Sequence, residues 1–169
     1  MELKFENKFE DFMELNIYLN RNLKNRIIIY NFYKYIYIFI CLSVCIWAFK
    51  VNHYGKYTIL IYMIIVMIVW LIIFPIINKI GMKNSIKKLL KSKEYLIKKK
   101  VITLKDKKII IICDNKKEEL NISDIFNIIV NKHNIYIFKK GYRIFAIIPF
   151  NSFSSKQERD KFISLLSLK

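Results

Sequence analysis

The chain has 169 residues, of which 54% are hydrophobic and 15% aromatic, and a formal net charge of +17. Three cysteines do not suggest a disulfide framework. The 30 basic residues are nearly all Lys, with only Arg21, Arg26, Arg143 and Arg159 as Arg, so the Arg-rich compact domain of a nucleic-acid binder is missing. Abundant Ile, Lys, Asn and Tyr fit an AT-rich genome, which accounts for part of the charge.

Residues 1–34 form the first segment. Leu3 and Phe5 alternate with Glu2, Lys4 and Glu6, the period of a short strand. From Phe9 the apolar positions Phe9, Phe12, Met13, Leu19 and Leu23 recur near helical spacing, which predicts an amphipathic helix over about residues 10–26. Asn7 is placed to cap it. Glu10, Asp11 and Glu14 fall in the first turn and Arg21, Lys24 and Arg26 in the last, complementing the helix dipole.

Residues 35–77 carry two apolar runs, 35–49 and 59–77, neither containing a charge. A spanning helix needs ~20 apolar residues for ~30 Å of hydrocarbon. The second run satisfies this, with Pro75 near its end where a kink disturbs few hydrogen bonds. Extending the first to residues 33–51 gives about 28 Å of helix and takes in Lys34 and Lys50, both placed to snorkel. The spans are therefore predicted at about 33–51 and 57–77. Too short for a domain, the linker of residues 50–58 makes them an antiparallel transmembrane hairpin. Arg21, Lys24, Arg26 and Lys34 precede the pair, and Lys79, Lys83, Lys87, Lys88, Lys91 and Lys93 follow it. The linker offers only Lys50 and Lys56, so the positive-inside bias puts both termini in the cytoplasm. Cys41 and Cys45, at i and i+4, share a face suited to small-residue packing against the second span.

Over residues 78–97, Gly81 permits a bend. Met82, Ile86, Leu89, Leu90 and Leu96 or Ile97 then fall on one helical face opposite Lys83, Lys87, Lys88 and Lys91. This basic amphipathic helix fits either the headgroup region or packing against protein.

Residues 98–169 read as a β-domain. Candidate strands are 101–104, 108–113, 118–122, 126–130, 135–138 and 142–148, in an antiparallel meander with turns at Asp106, residues 114–115, 131–134 and 139–141. Pro149 ends the last strand. Ser155 to Glu158 is a capping box opening a helix that runs to about Leu168, with Phe162, Leu165 and Leu166 as its apolar face. Cys113 is a reduced core residue. If the strand at Leu3 and Phe5 joins the sheet, seven strands and a closing helix result. The fold class is then an α+β membrane protein: a two-helix transmembrane hairpin plus a small antiparallel PH-like (pleckstrin-homology-like) β-domain closed by the C-terminal helix.

Several of these residues form a pattern. Phe5-Glu6-Asn7 followed by Glu10-Asp11-Phe12, the paired spans, the stretch 120–129, and Ile148-Pro149-Phe150-Asn151-Ser152-Phe153 before a charged helix resemble the YcxB family of small bacterial membrane proteins. Where that family usually shows Trp before the turn, this chain has Ile122. The resemblance implies a bacterial plasma (inner) membrane protein with a PH-like cytosolic domain, and it carries no established reaction.

Function follows only coarsely. His53 and His133 fall on opposite sides of the membrane, and no catalytic, cofactor or metal constellation emerges, so a non-enzymatic protein is expected. The first reading is a membrane-anchored binding module whose β-domain recognises a protein or peptide. An alternative is an anionic-lipid sensor at the inner leaflet, with Lys83, Lys87, Lys88, Lys91, Lys98, Lys99 and Lys100 as candidate lipid contacts. The competing reading takes these lysines as a positive-inside signal alone. An immunity-type membrane role rests on size and topology only.

Overall fold

The computed structural model describes residues 1–51, 56–114 and 116–167. Residues 52–55 of the expected linker, His53 among them, lie outside the described residues, as do Asn115 of the expected turn and Leu168. Among the described residues the elements, in chain order, are β1 (Glu2–Glu6), α1 (Phe9–Asn22), α2 (Lys24–Val51), α3 (Lys56–Ser92), β2 (Lys99–Lys105), β3 (Lys108–Cys113), β4 (Lys116–Asn121), β5 (Ile125–Val130), β6 (Asn134–Lys139), β7 (Arg143–Pro149) and α4 (Lys156–Ser167). Residues 1–15 and 86–169 make one compact unit, and residues 16–85 another.

In the first unit, the strands form two antiparallel sheets, ordered β1-β2-β3-β4 and β5-β6-β7. The N-terminal strand does join the sheet, with Leu3 opposite Ile102 and Phe5 opposite Lys100. Its alternation drives this, because Leu3 and Phe5 are buried while Glu2, Lys4 and Glu6 are exposed. The core lies between the sheets, where Ile102, Ile109, Ile135, Ile137 and Ile148 are wholly buried. Phe162 and Leu166 of α4 close it, also wholly buried. Hairpin geometry follows local chemistry: Asp106 and Lys107 both take positive φ between β2 and β3, as a two-residue primed turn requires. Gly141 (φ 79°) and Tyr142 (φ 55°) turn the chain between β6 and β7, which delays the last strand to Arg143.

Tyr136 and Phe138 are wholly buried but belong to the other face of β6, away from that core. The first half of α1 is tied to this sheet, since Asn134 Nδ2 donates to Glu14 Oε2 at 3.2 Å. Asn7 does not cap α1. Its amide is buried and donates to the Ile147 carbonyl at 2.8 Å, while Asp11 Oδ2 accepts from the Lys8 N–H at 2.7 Å. At α4, Ser155 Oγ accepts from the Glu158 N–H at 3.1 Å, half of the expected box. The other half is displaced by one residue, because Glu158 Oε2 accepts from the Ser154 N–H at 2.7 Å. Phe153 packs against Phe162 with ring centroids 5.6 Å apart.

Two helical boundaries differ from the sequence reading. The helix expected to reach Arg26 ends at Asn22, whose side-chain amide donates back to the Tyr18 carbonyl at 2.8 Å, and α2 begins at Lys24. Lys24 and Arg26 therefore belong to the next helix. Gly81 does not separate a basic helix from the second span: α3 is continuous from Lys56 to Ser92, through Pro75 and Gly81. One internal glycine costs about 1 kcal/mol against Ala, too little to stop a long cooperative helix.

In the second unit, α2 and α3 run antiparallel, with Tyr37 stacked on Trp70 at 4.1 Å and Tyr30 tilted on Phe74 at 5.1 Å. With 28 and 37 residues, they measure about 42 and 55 Å. Both are long and apolar enough to cross a membrane. Cys41 and Cys45 lie on a half-buried side of α2.

Candidate functional site

The two sheets part around a cleft of about 210 Å³. Ile111, Cys113, Lys116 and Glu118 line it from β3 and β4, and Lys139, Ala146 and Ile147 from β6 and β7. Both β4 and β7 are edges of their sheets, so the cleft has a strand paired on one side only on either hand.

Lys100 of β2 turns into this cleft. Its ammonium donates to Asn7 Oδ1 at 2.8 Å and to the Leu96 carbonyl at 2.6 Å. Both acceptors are neutral. Burial pushes the Lys100 pKa down to about 8, and the more distant Cys113, Asp11 and Glu118 recover part of that shift. Asn7 bridges the two sheets, receiving Lys100 of β2 and donating to Ile147 of β7. Close by, the Lys116 ammonium stands 4.6 Å from the centroid of the Tyr95 ring, and Cys113 Sγ contacts the Tyr95 carbonyl at 3.3 Å. Lys100, Lys116 and Lys139 outnumber Glu118, so the cleft is positive. An ammonium has three donors and Lys100 spends two on the fold, which suits the third to an anionic oxygen. Among the described residues, no group of three His, Cys, Asp or Glu could hold a metal ion.

The lysines singled out in the sequence go to three places. Lys83, Lys87 and Lys91 lie one turn apart along one exposed side of α3, with exposed Lys88 beside them. The apolar positions opposite are covered at Ile86 and Leu90, whereas Leu89 stays 40% exposed. Lys98 is exposed and pairs with Asp114 at 2.7 Å, and that hydrogen bond holds its ammonium above the ordinary lysine pKa. Lys99 is exposed at the start of β2. Only Lys100 of this run reaches the cleft, so residues 98–100 do not form one basic patch. Sequence reasoning missed Asn7, Lys116 and Lys139 as its companions. A polar Asn directly after an alternating strand was the available signal, hidden by its aptness as a helix cap.

Residues 104–166 match the family model described as YcxB-like protein, as the resemblance implied. The match takes in β3 to β7 and most of α4, hence Lys116 and Lys139 but neither Asn7 nor Lys100. No curated protein and no solved structure matched the chain.

Proposed function

We propose that this YcxB-like chain is a non-enzymatic, membrane-anchored binding module. In this reading α2 and α3 cross the bacterial inner membrane as a hairpin with both termini cytoplasmic. The β-domain, PH-like in form, holds an acidic segment of a protein partner in the Lys100 cleft. Lys100 carries the argument: among the described residues it is a half-buried cation hydrogen-bonded to neutral acceptors alone, and a desolvated charge is costly until an opposite charge joins it. The neighbouring edge strands β4 and β7 suit an extended peptide, which gains main-chain hydrogen bonds by strand addition while its acid meets Lys100.

The membrane anchor is supported by what the helices expose. Phe39, Tyr62 and Ile72 are 67%, 67% and 61% exposed. They belong to an apolar surface far larger than water-soluble proteins tolerate. Cations flanking the hairpin outnumber those of the linker, which supports the orientation. A four-stranded and a three-stranded antiparallel sheet closed by a C-terminal helix support the PH-like form.

The test is site-specific photo-crosslinking in the native host from position 139 at the cleft. A discrete protein adduct is expected, lost in Lys100→Gln while Cys113 stays shielded from thiol reagents. An adduct indifferent to Lys100, or none in a correctly folded protein, overturns the reading.

The exposed stripe of Lys83, Lys87 and Lys91 supports the second reading, an anionic-lipid sensor at the inner leaflet. In nanodiscs, hydrogen-exchange protection over residues 83–91 should then rise with anionic lipid content and fall with salt. Protection that ignores lipid charge removes it.

A further inference from the structure

Residues 16–85 enclose a second cavity, a groove of about 730 Å³ between the end of α1 and the facing sides of α2 and α3. We infer that this groove holds one anionic phospholipid, its phosphate on Arg26 and an acyl chain along the aromatic wall. The inference rests on the reading of α2 and α3 as membrane-spanning.

The groove is graded from polar to apolar. Asn16, Asn20 and Arg26 line one end, and Tyr37, Ile40 and Trp70 the other. Along α2, Arg26 and Ile40 are fourteen residues apart, about 21 Å of helix. Half of a bilayer that measures ~40–45 Å with its headgroups is roughly the same length. One leaflet therefore fits the groove end to end, with the guanidinium at headgroup level and the aromatic end at the midplane.

Arg26 is held in place and, among the described residues of this unit, has no countercharge. Its Nη1 donates to Asn16 Oδ1 at 3.2 Å and to Asn20 Oδ1 at 3.1 Å. Both partners are neutral amides, and the sequence from residue 16 to 85 contains no Asp or Glu. A guanidinium has five donors in a rigid fork matched to phosphate, so most of that fork is left for a ligand. The apolar wall is equally fixed. Trp70 Nε1 donates to the Lys34 carbonyl at 3.1 Å, which satisfies its one polar atom and ties α3 to α2. Tyr37 stacks on one side of that indole, and Phe74 leans on it at 5.4 Å. These rings prop the helices apart and present apolar faces to the space between them. A zwitterionic lipid would satisfy the wall but return only part of the charge, so the match is to a net-negative headgroup.

The experiment is native mass spectrometry of the full chain, extracted from membranes in mild detergent and titrated with phosphatidylglycerol or phosphatidylcholine. One phosphatidylglycerol should stay bound, at least tenfold tighter than phosphatidylcholine. Arg26→Gln should abolish that preference and leave phosphatidylcholine binding unchanged. The pair Asn16→Ala with Asn20→Ala keeps the charge but frees the guanidinium, and should also lower phosphatidylglycerol retention several-fold. Lys79→Gln, an exposed cation on α3 outside the groove, should change nothing. Equal losses from Arg26→Gln and Lys79→Gln would reduce the effect to general surface charge and overturn the inference. So would displacement by inorganic phosphate alone, or a lipid-free dimer with the groove filled by a second copy. Recovery of the chain without detergent would instead strike at the membrane reading itself, which separates the two failures.

Discussion

Replacing Lys100 with Met should remove a pH dependence that the wild-type β-domain carries on the alkaline side. Lys100 titrates near 8 in the folded chain and near its ordinary 10.5 when unfolded. Below pH 8 it is protonated in both states, and folding bears the full cost of desolvating the charge. Between 8 and 10.5 the folded chain sheds this proton first and the unfolded chain binds more, so stability rises with pH. Above 10.5 the penalty is gone. The whole span is about 3 kcal/mol, and the portion gained from pH 7.5 to 9.5 is about 2 kcal/mol. That window stops short of Tyr136. Burial raises its phenol pKa above 10, so the stability tied to the neutral phenol is lost only at higher pH.

Urea midpoints from pulse proteolysis of the full chain in detergent, under reducing conditions, read this out. Trp fluorescence does not serve, because Trp47 and Trp70 both lie in α2 and α3. With an m-value of about 1–2 kcal/mol/M, the wild-type midpoint should climb about 1–2 M more than that of Lys100→Met between pH 7.5 and 9.5. Deprotonation of exposed lysines relieves the net charge in both proteins and cancels in the difference. Parallel profiles would refute the assignment of a desolvated ammonium to Lys100.

Other substitutions test separate parts of the structure. Asn7→Leu leaves the Ile147 carbonyl and the Lys100 ammonium each short of a partner and should cost about 2–4 kcal/mol in the same urea assay. Ser155→Ala should cost about 1 kcal/mol and speed hydrogen exchange at the Glu158 amide, which Ser155 Oγ accepts. Phe162→Ala opens the core where α4 closes it; a loss of about 3–5 kcal/mol would consume most of a small domain's stability and leave the β-domain protease-sensitive. For topology, the shielded Cys113 thiol is uninformative, whereas Lys117→Cys on exposed β4 should escape an impermeant thiol reagent in intact cells and react after lysis. Labelling without lysis would place the β-domain outside.

The strands were legible because alternation and turn chemistry agree. Residues 108–113 are a strand at both levels of description, and Asp106 marks a turn whose two central residues do adopt positive φ. Strand ends were not legible in the same way. Lys99 and Lys116 have no apolar pattern, yet pairing with Glu6 and Cys113 draws them into β2 and β4. Register is a property of two strands, and one segment's composition cannot contain it. Gly81 misled for a related reason: a glycine permits a bend, but whether the helix uses it depends on the ladder on either side. No neighbouring atom within 4 Å of its missing Cβ forces one there.

The same logic explains why the lysine run does not stay together in the fold. Three consecutive lysines look like one patch on paper, but a strand sends successive side chains to opposite faces. Lys99 and Lys100 therefore part company as soon as β2 forms, and Lys98 is claimed by Asp114 across the hairpin. What singles out Lys100 is its cross-strand partner Phe5, a core residue, which means its side chain starts inward. An ammonium starting inward must find acceptors, and Asn7, two residues past Phe5, is in reach only because β1 pairs with β2. The candidate site thus depends on a contact between residues 93 positions apart, across the inserted hairpin. Deleting β1 should destroy the cleft even though residues 104–166, which carry the family match, remain intact.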